Sequence, residues 1–143
     1  MTIHQISVFL ENRAGQLAEI TGILAQKGID LRAINIAETS DYGVLRLIAD
    51  KPQEAATTLL EHGFILSITP VVAVSVPDVP GGLAKVLDVL AKENIDVEYM
   101  YSVFGQVNGL AHMVFRVGDT EKLLTVLKSN GVEPISSENL GIR

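Results

Sequence analysis

Two short loops hold the residues best placed to do chemistry. One reads Glu11-Asn12-Arg13-Ala14-Gly15-Gln16-Leu17, the other Asp78-Val79-Pro80-Gly81-Gly82-Leu83. In each, glycine stands just ahead of an apolar pattern of helical spacing. Glycine there lets the backbone approach another group closely. The first-turn N–H groups of a helix lack internal partners, and the helix dipole favours negative charge beside them. A small carboxylate fits that chemistry. Asn12 or Asp78 could accept hydrogen bonds from an ammonium group. A zwitterion needs both kinds of contact. The same residues have a plain structural use, since glycine permits a tight turn and Asn or Asp caps a helix. These residues by themselves leave both uses open.

Other chemistry is sparse. The histidines, His4, His62 and His112, are far apart, and no pair has the spacing of metal ligands, so no metal is expected. The absence of cysteine excludes disulfides, thiolate zinc sites and cysteine nucleophiles. There is no G-x-S-x-G elbow, dinucleotide fingerprint or P-loop. Neither a catalytic set nor a cofactor is therefore expected. Asp30 and Asp96 recur at matching places, which a turn or strand entry explains. Tyr99 and Tyr101 share a strand face and could line a pocket or simply pack.

The elements that must position the loops come twice. Residues 11–34 align without a gap on residues 77–100 at an offset of 66, matching Gly15 to Gly81, Leu17 to Leu83 and Ile29-Asp30 to Ile95-Asp96. Gly63 matches Gly131 at an offset of 68, so the second copy carries two extra residues between these points. An even difference keeps strand alternation in phase. The chain is expected to divide into units 1–69 and 70–143, joined at Pro70.

Within each unit the order reads strand, helix, strand, strand, helix, strand. Ile6, Val8 and Leu10 alternate as a strand, with Val72, Val74 and Val76 as counterparts. Leu17, Ile20 and Leu24 fall on one helical face, as do Leu83, Val86, Leu87 and Leu90. These helices should stop near Gly28 and Asn94, the two residue types that best tolerate the left-handed conformation after a helix. Strands follow over 31–38 and 43–49, joined at Ser40-Asp41-Tyr42-Gly43, and over 97–104 and 109–117, joined at Asn108-Gly109. Helices over 51–62 and 119–130 end at Gly63 and Gly131. Last strands lie near 64–69 and 132–136. The expected fold is α+β, two tandem ferredoxin-like βαββαβ units, each an antiparallel sheet with its helices on one face. The opposite face mixes Arg46, His112 and Arg116 with Val44, Ile48, Leu110 and Val114, which points to contact with another unit or chain and to a homodimer.

Composition narrows the function. Of 143 residues 48% are hydrophobic but only 5% aromatic, so the core must be aliphatic. A net charge of −6 and few aromatics argue against nucleic acid binding. The start lacks a signal-like segment, and the most apolar stretch, Phe64 to Val76, is too short and polar to span a bilayer. A cytoplasmic protein without membrane contact is expected.

Asp78-x-Pro80-Gly81-x-Leu83 resembles the N-x-PG-x-L opening of ACT domains, with Asp for Asn, and Asn12-x-Ala14-Gly15-x-Leu17 resembles it with Ala for Pro. Gly28-Ile29-Asp30-Leu31 and Asn94-Ile95-Asp96-Val97 are similar to the segment leading into the second ACT strand. The resemblance spans roughly 3–136 and is that of a stand-alone pair of ACT domains. It implies a regulatory protein that binds an amino acid effector between paired modules and signals to a partner enzyme of amino acid metabolism. The loop residues it implicates are Asn12, Ala14, Gly15, Gln16 and Leu17, with Asp78, Pro80, Gly81, Gly82 and Leu83. On the second strands it implicates Ile34, Asn35 and Ile36, with Met100, Tyr101 and Ser102. Asp78 would repel an effector carboxylate but could hold its ammonium, so the two sites need not be equivalent. Arg13 is a further candidate for carboxylate pairing or a solvated loop residue. The alternatives are a ligand-free protein-interaction adaptor and, behind it, a small enzyme on the same fold.

Overall fold

The structure, a computed structural model, describes residues 1–11, 13–38, 42–105 and 108–143. The expected turn at Ser40-Asp41 and the loop residue Asn12 lie outside the described residues. In chain order the elements are β1 (Ile3–Glu11), α1 (Gln16–Gln26), β2 (Leu31–Glu38), β3 (Tyr42–Ala49), α2 (Pro52–Glu61), β4 (Leu66–Pro77), α3 (Gly82–Lys92), β5 (Val97–Ser102), β6 (Leu110–Val117) and α4 (Thr120–Ser129). A short 3-10 turn follows at Glu138–Leu140. The first copy shows the expected βαββαβ order, and the second, which opens on the shared strand β4, shows βαββα.

The chain forms two compact units. The first module comprises His4–Thr69 with Leu140–Arg143, and the second Pro70–Asn139 with Met1–Ile3. The last residues join the first module through backbone and side chain. Arg32 Nε donates to the Leu140 carbonyl at 3.1 Å, and the Arg143 N–H donates to the Asp50 carbonyl at 2.6 Å.

In the first module β2, β3 and β1 lie in that order, with the opening residues of β4 beside β1. In the second, the later residues of β4 neighbour β6, which neighbours β5. The ladders β1–β3, β2–β3, β4–β6 and β5–β6 are all antiparallel. Strand alternation sends one set of side chains toward the helices. Ile6, Val8, Leu10, Leu45 and Leu47 pack there with Ile20, Leu24, Ala55 and Leu59. The second core joins Val72, Val74, Val76, Phe115 and Val117 to Val86, Leu90, Leu123 and Leu127. Both cores are aliphatic apart from Phe64 and Phe115.

Three expectations are corrected. The strands expected on either side of Pro70 are one strand, β4, because the proline φ is compatible with extended backbone. The strand expected near 132–136 reduces to a bridge between Val74 and Pro134, since proline has no N–H to donate to a ladder. On the face away from the helices, Ile48 and Val114 are fully buried instead of outward, whereas Val44, Arg46, Leu110, His112 and Arg116 are half-buried.

The helix ends follow the expected chemistry. Gly28 and Asn94 both have positive φ, 67° and 54°. Ile29 N–H then reaches back to the Leu24 carbonyl at 3.0 Å, and Ile95 N–H to Leu90 at 2.9 Å. Gly63 and Gly131 end α2 and α4 in the same way, with Phe64 bonded to Leu59 and Val132 to Leu127. These bonds satisfy carbonyls that a helix terminus otherwise leaves open. Asn108 and Gly109 also have positive φ and lie in the connection between β5 and β6. Asn94→Val is expected to cost about 1–2 kcal/mol, because a branched residue resists the left-handed region. Asn94→Gly should be nearly neutral. Urea denaturation of the two variants checks the ordering, and equal midpoints would contradict it.

Candidate functional site

The two loops share one backbone device. Gly15 caps α1 at φ 86°, ψ −7°, and Gly81 caps α3 at φ 85°, ψ −7°. Among the described residues no side chain caps either helix. The earliest helical N–H groups cannot find partners inside the helix. Glu19 N–H takes the Gly15 carbonyl and Lys85 N–H takes the Gly81 carbonyl, each at the first position where a helical bond is possible.

The side chains then make the loops different. Gln16 is buried, and its Oε1 accepts from the Glu11 N–H at 2.8 Å. Its equivalent in the second module is Gly82, and the equivalent of Glu11 is Pro77. Pro77 has no N–H, so no acceptor is needed there. A Cβ placed on Gly82 would lie only 2.0 Å from the Pro77 carbonyl oxygen. The substitutions at these two positions are therefore coupled. Where residue 11 has an N–H, a glutamine satisfies it. Its counterpart has none, and the Pro77 carbonyl stands so close that only glycine fits at 82.

The first loop opens onto a cavity of about 420 Å³. Ala14, Gly15, Gln16 and Leu17 line it with Ile36 of β2, and Arg13 and Glu38 stand at its edge. Leu17 and Ile36 are 37% and 44% exposed, so both present apolar surface at the opening. Leu17 thus leaves the helical face on which its spacing placed it; Ile20 and Leu24 supply that face. Arg13 is half-exposed and pairs with Glu19 at 3.2 Å and Glu11 at 3.7 Å. Exposed pairs of this kind contribute roughly 0–1 kcal/mol, so they leave the guanidinium free to exchange partners.

The implicated strand residues separate by alternation. Ile34 packs against the first core, whereas Asn35 points to the opposite face and accepts from Arg46 Nη1 at 3.0 Å. Of these three only Ile36 lines the first-loop cavity. In the second module Met100 packs against the core, and Tyr101 is buried and stacks on Tyr99 at 6.5 Å between ring centroids. Ser102 is exposed and occupies the place of Ile36. Asp78 and Pro80 are exposed, and the Asp78 N–H donates to the Gly109 carbonyl at 3.0 Å, tying the loop to the β5–β6 hairpin. Leu83 packs partly into the second core. Spacing gave no sign that Leu10, Glu38 and Gly43 would join the cavity, since they come from three different strands or strand ends.

Among the described residues no helix is long and apolar enough to cross a membrane, and no cluster of His, Asp or Glu could hold a metal.

Comparison with known proteins places this geometry in context. The family model described as an ACT domain pair matches residues 1–142. A Bacteroides thetaiotaomicron protein of known crystal structure is 42% identical, with a TM-score of 0.91 over 99% of this chain and 96% of that one. The ligand-free regulatory subunit of aspartate kinase from Thermus thermophilus is 19% identical, with a TM-score of 0.64 over 88% and 91% of the two chains. The same subunit from Thermus flavus gives 19% and 0.59 over 90% and 91%. At that identity the likeness is one of fold. No curated protein matches the chain.

Proposed function

Because the chain belongs to the ACT domain pair family, we propose that it is a regulatory protein whose first module takes an amino acid effector in the cavity between Gly15 and Ile36. The observation that carries this is the cavity itself. It brings the uncapped start of α1, with its left-handed glycine, together with an apolar strand residue. Helix N–H groups suit the effector carboxylate. Glu11 and Glu38 suit its ammonium, and Leu17 and Ile36 its side chain.

An effector shifts a protein only through unequal affinity for two states. The exposed rim of Leu17 and Ile36 supplies a place for such a difference, since a second copy of the chain could cover it. We infer a homodimer whose arrangement responds to the effector and a cytoplasmic partner enzyme that reads it. The aspartate kinase regulatory subunits share the fold and motivate a partner of that kind. On this reading the chain controls catalysis and does not perform it.

Thermal unfolding in the presence of each of the twenty amino acids tests the proposal. At a hundredfold excess over its dissociation constant an effector should add ~2.7 kcal/mol, a readily visible rise in midpoint. Ile36→Asp, at an exposed position, should leave the unliganded midpoint within about 0.5 kcal/mol and remove the rise. A rise that survives Ile36→Asp would move the effector elsewhere. No rise with any amino acid would favour an adaptor that works through protein contacts alone.

A further inference from the structure

A second groove distinguishes the modules. In the first, a space of about 230 Å³ lies between the start of α1 and residues 62–65, which follow α2. In the second, the equivalent space between the start of α3 and residues 130–133 measures about 520 Å³. Three residue exchanges distinguish the two linings. Gly82 replaces Gln16, with the Pro77 carbonyl standing where a side chain there would begin. Lys85 replaces Glu19, and Glu133 replaces Ile65. In the first groove the charged lining residues Arg13, Glu11 and Glu19 pair with one another. The backbone is more open in the second, where Ser75 N–H and the Glu133 carbonyl are 3.5 Å apart, against 2.9 Å between Phe9 and Ile65.

The lining of the larger groove is chemically specific. Val86, Val89, Leu110 and Val132 give it an apolar wall. Lys85 and Glu133 also line it, both exposed, and neither makes an ion pair among the described residues. We propose that this groove is a separate binding site for an amino acid with an aliphatic side chain. Lys85 takes the carboxylate, Glu133 takes the ammonium, and the side chain lies against the valines. Charge complementarity selects this occupant, since a neutral hydrocarbon would leave two charges unused and a simple ion would leave the wall uncovered. The inference is independent of the first-loop site.

Titration of methyl-labelled protein with L-leucine, followed by NMR, tests it. The methyl signals of Val86, Val89 and Val132 should shift and saturate. Isocaproate lacks the ammonium and isoamylamine lacks the carboxylate, and each should bind at least about tenfold more weakly. Lys85→Met and Glu133→Gln, both at exposed positions, should each weaken leucine about tenfold without changing the unliganded spectrum of the core. Persistence of the groove shifts in Ile36→Asp would support this site even if the first-loop proposal fails. Saturable shifts confined to Leu10, Leu17 and Ile36 would overturn the groove and leave the first-loop proposal standing. Groove shifts unchanged in the Lys85→Met, Glu133→Gln double variant, or absent at millimolar leucine, would also overturn it.

Discussion

Gly82→Ala is expected to destabilise the second module by on the order of 3 kcal/mol, although it places the better helix former at the start of a helix. The added methyl would sit 2.0 Å from the Pro77 carbonyl oxygen, and that neighbour is backbone, which cannot swing aside. Separation requires α3 to move away from β4, and Val86 and Leu90 are buried at the interface that would open. Gly81→Ala is the control. Its added Cβ would meet nothing within 4 Å, so its cost comes only from φ 85° and should be about 1 kcal/mol. The glycine with an ordinary helical role is thus the more demanding of the two. Urea denaturation of both variants decides the matter. Equal losses, or a greater loss for Gly81→Ala, would show that the loop relaxes away from the clash.

Phe115→Ala should cost about 3–5 kcal/mol. Phe115 is fully buried in β6, where its register partners are Val72 on β4 and Met100 on β5. The rest of that core is valine and leucine. Aliphatic side chains held by a sheet and two helices cannot collapse far enough to refill a phenyl-sized hole. A module of about 70 residues has only a few kcal/mol of stability to lose, so the second module should unfold at ambient temperature. Phe104→Ala removes the same ring from a position 49% exposed and should change stability by no more than about 0.5 kcal/mol. Hydrogen exchange resolved by residue is the suitable measurement, because it locates the loss. Retained protection across β4 and β6 in Phe115→Ala would show that the core repacks.

Much of the fold was legible in short-range patterns. Gly28 and Asn94 announced their helix ends because a left-handed residue is a local requirement, met by few residue types. Asn108-Gly109 announced a turn before β6 for the same reason. Helix and strand order followed from apolar spacing, which depends only on how a side chain repeats around its own backbone. The less legible features depended on distant partners. Pro70 read as a joint and Pro134 as part of a strand, yet β4 runs through the first and the ladder stops at the second. Whether proline interrupts a strand depends on whether the missing N–H faced a neighbour, and spacing does not reveal that.

The candidate site divides along the same line. The sequence by itself placed two glycine loops ahead of two helices, with Ala14, Gly15, Gln16 and Leu17 in the first of them, whereas the choice between capping residue and bare glycine N-cap was made by the structure. It also carried both members of each coupled pair, Glu11 with Gln16 and Pro77 with Gly82, but nothing in their spacing says that they touch. Only the tertiary structure decided that Gln16 turns back to the Glu11 N–H, that Ile36 meets the loop while Asn35 faces Arg46, and that Lys85 and Glu133 line one groove. The physical reason is that a cavity is what remains after every neighbouring side chain has been packed. Its shape therefore depends on residues brought together from several strands and helices, whereas a turn or a helix end is settled within a few bonds.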